Sequence, residues 1–168
     1  MQVEFFAPMT PPTRTEQQHR VFFKNGRPVF FRDAKLREAI SQLERAVAPY
    51  VPISPLEGAV YVKIIWCFPY RKTEKKSLIG EAIPKDTRPD IDNLNKNLLD
   101  VLNKKIIADD SQIVRLTVEK CWYHTPGIYV KVSQIDHQIF SGKVEACIEK
   151  AYLKKSGRAE TDFCSEGD

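Results

Sequence analysis

The sequence predicts an α+β fold, a mixed sheet with two or three helices packed on it. Runs rich in β-branched and aromatic residues predict strands, and segments with apolar residues at helical spacing predict helices. Their order along the chain is β-β-β-α-β-α-β-β-α, which is typical of a sheet with its helices on one side. A length of 168 residues suits a single domain with a sizeable core.

Local sequence features predict each strand and helix. An Asn25-Gly26 pair between two aromatic arms predicts a hairpin over Val21–Phe31, with Pro28 placing the second arm at an edge. We predict one domain over residues 1–153 and a disordered, acidic tail over 154–168. The other predicted elements are strands at Val3–Ala7, Glu57–Tyr70, Gln112–His124 and Gly127–Ile135, and helices from an Asp33 cap to about Val47, from Ile91 to about Asn103 and from about Gly142 to Leu153.

Composition indicates a soluble cytoplasmic protein. Hydrophobic residues make up 42% and charged residues 29% of the chain, and the formal net charge of +4 is compatible with a polyanionic partner. The amino terminus lacks a signal-peptide pattern, and no apolar run is long enough to cross a bilayer. The cysteines are far apart in sequence and form no CxxC pair, which argues against a zinc-thiolate site and a disulfide framework: Cys67, Cys121, Cys147 and Cys164.

One stretch, RPDIDNLNKNLLD, concentrates acidic residues in this basic chain. At 100° per residue its helix has an apolar stripe facing the core and a polar stripe opposite. The apolar stripe is Ile91, Leu94, Leu98, Val101 and Leu102, and the polar stripe is Asp92, Lys96, Asp100 and Asn103. Asp90 precedes the helix beside the polar stripe, so Asp90, Asp92 and Lys96 converge near the helix amino terminus.

These acids have two interpretations. In the first, Asp90 caps the helix, and Asp92, Lys96 and Asp100 form a solvated ladder of charges. In the second, the two helix-start acids join a later acid of the Asp109-Asp110 pair in one carboxylate cluster. Such a cluster suits Mg²⁺ or Mn²⁺, and a lysine beside the ion is typical of phosphoryl chemistry. The spacing alone leaves both interpretations open.

Two blocks together, RPDIDNLNKNLLDVLN and IIADDSQIVRLTVEK, resemble the RusA family of Holliday-junction resolvases. The family signature is close to R-P-D-x-D-N-x-x-K-x-x-x-D-x-L-N, then I-x-x-D-D-S-Q-[VI], then a lysine. The resemblance covers roughly Val3–Val132 and extends to the proline-rich opening segment. It implies a RusA-like homodimer, of bacterial or phage origin, that binds four-way DNA junctions and cuts two strands with Mg²⁺ or Mn²⁺.

The resemblance also implies roles for individual residues. Asp90, Asp92 and Asp110 would bind the metal, and Lys96 would be the catalytic lysine. Asp100 lies about 12 Å from Asp92 by helical rise, too far to share an ion. The linker VLNKK departs from the family pattern, so the choice between Asp109 and Asp110 stays open. The remaining matched positions are Asn93, Ser111, Gln112 and Lys120.

Basic residues near the amino terminus and in the connector before the acidic stretch could form a positive rim for DNA, or could be solvated loop charges. The predicted DNA-binding residues are Arg14, Arg20, Arg71, Lys72, Lys75, Lys76 and Arg88, with Lys24, Arg27 and Lys85 as further candidates. Two rival functions remain. One is a nuclease-inactive or broader binder of branched DNA, such as flaps or forks, and the other is a structural or cation-binding domain without DNA.

Overall fold

The chain divides into two units, Met1–Gln134 and Ile135–Asp168, and the main feature of the first unit is a five-stranded mixed sheet. The computed structural model describes residues 1–13, 20–24, 27–31, 34–71 and 80–156. In spatial order the strands are β1 (Gln2–Pro8), β7 (Gly127–Gln134), β4 (Val60–Pro69), β6 (Ile113–Tyr123) and β5 (Ile83–Pro84). β4 and β6 are parallel, and the other neighbouring pairs of this sheet are antiparallel. The predicted α+β class and mixed sheet are confirmed.

A second sheet is a two-stranded hairpin of β2 (Arg20–Lys24) and β3 (Arg27–Phe31). The strands are antiparallel, and Lys24 pairs with Arg27. This register leaves two residues between the strands, which is the loop length that the hairpin prediction requires. The Asn25-Gly26 pair itself lies outside the described residues.

Helices α1 (Ala34–Val47) and α2 (Ile91–Leu102) cover one face of the five-stranded sheet. β4 buries alternate residues along this face, from Val60 to Trp66, and both helices contribute leucines to the same core. Because side chains alternate across a strand, this pattern means that the helices lie on one side, as predicted. α1 continues into a short 3₁₀ helix at Ala48–Tyr50, and its predicted cap, Asp33, lies outside the described residues.

The buried face of α2 is wider than the predicted stripe. Leu94, Leu98, Val101 and Leu102 are buried as expected, whereas the assignment of Ile91 to the core is wrong because its side chain is 37% exposed. Helical side chains tilt toward the amino terminus, so the first residue points past the end of the helix rather than onto the sheet. The buried face also contains polar residues that no apolar pattern identifies: Asn93, Asn95 and Asn97.

β4, α2 and β6 form a β-α-β unit, because α2 connects two parallel strands. In such a unit the helix begins beside the carboxyl ends of the strands and ends beside their amino ends. β5, a two-residue strand that the sequence did not predict, pairs with Cys121 and Trp122 near the carboxyl end of β6. The loop that enters α2 therefore lies at the carboxyl edge of the parallel pair, and the loop that leaves α2 lies at the opposite edge.

The second unit contains α3 (His137–Ser156). Asp136 caps this helix, because its carboxylate accepts hydrogen bonds from the backbone amides of Gln138 at 2.9 Å and Ile139 at 3.1 Å. The helix begins five residues before the predicted Gly142 start and continues three residues past Leu153. Residues 157–168 of the predicted tail lie outside the described part of the chain. Among the described helices, none combines the length and apolarity that spanning a bilayer requires.

The Asn95 side chain joins α2 to the sheet, and its loss should destabilise the fold. Its Oδ1 accepts a hydrogen bond from Nε1 of the buried Trp66 at 2.9 Å, and its Nδ2 donates to the Ile91 carbonyl. Asn95→Ala leaves the indole N–H buried without its partner, so we expect a loss of about 1–3 kcal/mol in the free energy of unfolding, measured with urea. Asp100→Ala, exposed on the same helix, should change it by less than about 0.5 kcal/mol. Equal stability of both variants would contradict this role of Asn95.

Candidate active site

Asp90 and Asp92 lie at the amino terminus of α2, at the carboxyl edge of the parallel strands. Asp90 occupies the N-cap position, and its carbonyl accepts a hydrogen bond from the Leu94 amide at 3.1 Å, but its carboxylate caps no amide. Asp92 is exposed in the first turn. The partial positive charge of a helix amino terminus favours negative charge at this place. Both carboxylates thus lie at this end of α2, and neither forms the hydrogen bond that would cap the helix.

Lys96 follows Asp92 by one helical turn and lies on the same exposed side of α2. The exposed positions Asp92, Lys96 and Asp100 agree with the predicted polar stripe. Among the described residues, however, neither Asp92 nor Asp100 forms an ion pair, so the charge ladder of the first interpretation is not formed. The structure therefore places Asp90 and Asp92, two acids without described partners, at the amino-terminal end of α2. Lys96 lies on the same exposed side of the helix as Asp92.

The loop before Asp90 is held by two lysines, one on β6 and one directly after β5. Lys120 on β6 donates from Nζ to the carbonyls of Thr87 and Pro89, both at 2.8 Å. Lys85, which directly follows β5, donates from Nζ to Thr87 Oγ1 at 2.6 Å and to the Arg88 carbonyl at 2.7 Å. The backbone carbonyls of three consecutive residues are thus bound by ammonium groups immediately before the first acid.

Lys85 is a buried charge with an exposure of 5%. Its Nζ lies 4.9 Å from the ring centre of Phe68 and 4.1 Å from that of Trp122, within the range of cation–π attraction. Burial lowers the pKa of the Lys85 ammonium, and the neighbouring charges of Lys120 and Arg71 lower it further. The prediction of Lys85 as a DNA contact is wrong, because both its head group and its stem are enclosed by the protein.

The second acidic block is a short 3₁₀ helix, Asp110–Gln112, that leads into β6. Asp109 caps it: its carboxylate accepts hydrogen bonds from the Ser111 amide at 2.9 Å and from the Ser111 hydroxyl, while the Gln112 side chain accepts from the Asp109 amide at 3.0 Å. These bonds with Ser111 lower the pKa of Asp109. Asp110 is exposed, and its carboxylate has no hydrogen bond or ion pair with any described residue. The Asp109 carboxylate thus serves as the cap of the 3₁₀ helix, whereas the Asp110 carboxylate has no described partner and is exposed to solvent.

Asp110 lies at the opposite end of α2 from Asp90. Ile107 forms a bridge with Asn103, the residue after α2, and the Ala108 amide donates to the Leu56 carbonyl at 3.1 Å. The 12 residues of α2 span about 18 Å. Accordingly, the described part of the chain contains no group of three or more His, Cys, Asp or Glu side chains that could hold a metal ion. The structure brings Asp90 and Asp92 together but does not bring Asp110 to them within one chain.

The chemistry of the donor set fits a hard divalent cation. Asp90, Asp92 and Asp110 are exposed carboxylates without a described partner, and carboxylate oxygens are the ligands that Mg²⁺ prefers. Their positions do not fit a site built by one chain, since α2 separates the third acid from the other two. The assignment of the three residues as metal ligands stays a prediction.

The basic residues predicted to contact DNA are only partly described. Arg88 is exposed in the loop beside Asp90, and Arg71 is exposed with its guanidinium 5.3 Å from the ring centre of Trp122. Both lie near the carboxyl edge, where Asp90 and Asp92 are. For Arg20 the structure describes the strand but not the side chain, and the other four lie outside the described residues: Arg14, Lys72, Lys75 and Lys76.

Two cysteines that are distant in sequence are neighbours in the sheet. Cys67 on β4 pairs with Cys121 on β6, and their sulfur atoms lie 3.9 Å apart as free thiols. Burial and the adjacent Cys121 raise the pKa of the Cys67 thiol to about 12. The thiolate is the reactive form, and a raised pKa keeps Cys67 in its thiol form at neutral pH. Only the register between β4 and β6 shows this proximity, which the spacing of the cysteines along the chain does not.

Comparison with known families identifies the class of this protein. The family profile described as Endodeoxyribonuclease RusA matches residues 8–133, which is most of the chain. The chain belongs to the RusA family of endodeoxyribonucleases, and this confirms the resemblance carried by the two acidic blocks. The chain is also 37% identical over 65 residues to the uncharacterized protein YqaN of Bacillus subtilis (strain 168). That match covers 39% of this chain and 45% of the relative's length.

Proposed function

We propose that this protein is a divalent-metal-dependent endonuclease that resolves four-way DNA junctions in recombination and repair. The observation that carries the proposal is the amino terminus of α2, where Asp90 and Asp92 lie beside Lys96 as exposed acids without described partners. Membership of the RusA family supports the same reaction class. The expected products carry 5′-phosphate and 3′-hydroxyl ends.

The residues at this end of α2 have distinct tasks in the proposed reaction. Asp90 and Asp92 would hold Mg²⁺, or Mn²⁺ in its place, and the family pattern adds Asp110. A bound divalent ion supplies neutralisation of the scissile phosphate and lowers the pKa of water. Lys96 offsets the negative charge that develops on the phosphate oxygens or the leaving group. The dipole of α2 favours the phosphate at the same place.

We further propose that each metal site is built by two chains of a homodimer. About 18 Å of helix separates Asp110 from Asp90 in one chain, so an ion held by both acids requires Asp110 of a second copy. Two copies related by a two-fold axis supply this exchange twice, since such an interface is self-complementary. Two equivalent sites in one dimer also match a reaction that cuts two strands of one junction.

The exposed position of the acids suits a macromolecular substrate. Two surface clefts of the described residues lie between residues 8–13 and α1, and none of the three acids lines either of them. A phosphodiester of a DNA backbone reaches an open surface more readily than an enclosed pocket. Arg71 and Arg88 are exposed near the same edge and would neutralise the phosphates that flank the cut. Because the proposed partner is a polyanion, its binding should weaken steeply as salt rises.

The neighbours Asp109 and Asp110 allow a matched test of the third ligand. Asparagine replaces aspartate well as a cap, so Asp109→Asn should keep the turn with Ser111 and stay within about tenfold of the wild-type cleavage rate. Asp110→Asn should lose at least about 100-fold, because a neutral amide is a poor ligand for the ion. Single-turnover cleavage of a four-way junction measures both rates. The opposite order of the two variants would show that Asp109 is the ligand.

A panel of substrates tests the proposed function against its rivals. The full chain is incubated with a four-way junction, a flap, a fork and a linear duplex, each with Mg²⁺, and competition binding is measured at two salt concentrations. We expect paired cuts in the junction and at least about tenfold slower cutting of the duplex. Junction binding without cuts in any substrate would identify a nuclease-inactive binder. Equal, weak binding of every DNA would support a structural domain instead.

A further inference from the structure

The loop that positions Asp90 is built around two lysines that the proposed reaction does not use. Residues 85–90 connect β5 to α2, and the backbone carbonyls of Thr87, Arg88 and Pro89 accept hydrogen bonds from the ammonium groups of these two lysines. A loop carbonyl bound by an ammonium group is fixed more strongly than one bound by a neutral donor. Four acceptors of this loop are bound in this way, and Asp90 is the next residue along the chain.

Lys85 is anchored on three sides. Its backbone amide donates to the Lys120 carbonyl at 3.1 Å, its ammonium lies over the rings of Phe68 and Trp122, and the same ammonium donates to Thr87 and Arg88. A buried charge is costly unless it is hydrogen bonded, so this arrangement permits little movement of the loop. Lys120 completes the arrangement from the adjacent strand by binding the carbonyls on both sides of Arg88.

We propose that Lys85 and Lys120 form a clamp, named here the lysine clamp, that positions the Asp90 carboxylate for metal binding. This proposal rests on the proposed function, since it assigns to the clamp the task of orienting one of the predicted ligands. The lysines act as positioning residues: their ammonium groups bind the loop backbone and do not touch the ion or the DNA. The clamp restricts the backbone at residues 87–89. This restriction fixes the position of the Asp90 Cα atom, from which the carboxylate side chain extends.

The clamp and a simple charge effect predict opposite results. Removing a positive charge near a cation site lowers the repulsion of the cation, so electrostatics alone should make metal binding tighter. Loss of a group that orients a metal ligand should make it weaker, typically by about 10- to 100-fold. The direction of the change in metal affinity therefore separates positioning from charge.

The experiment measures Mn²⁺ binding to the full metal-free chain by the loss of the electron paramagnetic resonance signal of free Mn²⁺. The variants are Lys85→Met and Lys120→Met, which keep the length of the side chain and remove its charge, with Lys120→Arg as the conservative replacement. We expect the two methionine variants to bind Mn²⁺ at least about 10-fold more weakly, and the arginine variant to regain most of that loss. Junction binding without metal should be unchanged in all three.

Lys63→Met is the matched control, because Lys63 lies on β4 of the same sheet, pairs with Glu119 at 3.7 Å and does not contact the loop. Urea unfolding checks that each variant folds, and Thr87→Val, which removes an acceptor of Lys85 at an exposed position, serves if Lys85→Met does not. Unchanged or tighter Mn²⁺ binding in the clamp variants would overturn the clamp alone, provided that Asp90→Asn weakens it. If Asp90→Asn leaves Mn²⁺ binding intact, the metal assignment fails, and the clamp fails with it.

Discussion

Asp92→Asn should abolish the cleavage of a synthetic four-way junction while leaving its binding intact. The substitution keeps the size of the side chain and the first turn of α2, but it replaces an anionic oxygen ligand with a neutral amide. We expect the single-turnover cleavage rate to fall by at least about 100- to 1,000-fold, which is a typical cost of losing one electrostatic contact to a reacting centre. Because Asp92 is exposed and unpaired among the described residues, its loss should not weaken the fold.

The matched control is Asp100→Asn, two turns further along the same exposed side of α2. Asp100 lies about 12 Å from Asp92, so this variant should cleave within about tenfold of the wild-type rate. A gel-shift titration in EDTA checks that both variants bind the junction like the wild type. Full activity of Asp92→Asn, or equal losses in both variants, would remove Asp92 from the metal site.

Mixed dimers of two inactive variants should regain the ability to nick a junction. If each site takes Asp90 from one chain and Asp110 from the other, a dimer of Asp90→Asn with Asp110→Asn has one fully wild-type site and one site with both substitutions. Co-expression of differently tagged chains gives this mixed dimer. We expect cleavage of one strand at about half the rate of the wild-type dimer, and at least about 100-fold above either inactive parent. A site built within one chain predicts no recovery, since every site then carries a substitution.

The control for this experiment is a mixed dimer of Asp90→Asn with Asp92→Asn. Both substitutions lie at the same end of α2, so every site of that dimer is damaged whichever chain supplies Asp110. Recovery with Asp110→Asn but not with Asp92→Asn would establish that the sites are shared. Recovery in both mixtures would contradict the placement of Asp90 and Asp92 of one chain in the same site, and recovery in neither would contradict the two-chain site.

Much of the fold follows from local patterns in the sequence. The spacing of Leu94, Leu98 and Leu102 places the buried side of α2 correctly, because a helix packed on a sheet must bury one face. The exposure of Ile91 and the burial of Asn95 depend on tertiary neighbours, namely the end of the helix and the indole of Trp66. β5 could not be predicted from the sequence, because its two residues form a strand only by pairing with β6.

The candidate site is less predictable, because it depends on the order of the strands. The motif places Asp90 directly before α2 and places Asp92 and Lys96 on it, and the helical period alone predicts that the three lie close together. The distance to Asp110 depends on the β-α-β crossover, which puts the two ends of α2 at opposite edges of the sheet. In the sequence, Lys85 cannot be distinguished from an exposed basic residue of a polar loop. Its enclosure by Phe68 and Trp122 becomes visible only when β4 and β6 are paired.

Cleavage of a synthetic four-way junction by the full wild-type chain, with Mg²⁺ and with EDTA, tests the central claim most directly. Strands labelled at their 5′ ends and separated on a denaturing gel show where each cut falls. The proposed function predicts two near-symmetrical cuts with Mg²⁺ and uncut strands with EDTA. Stable binding of the junction with no Mg²⁺-dependent cut in any strand would contradict it.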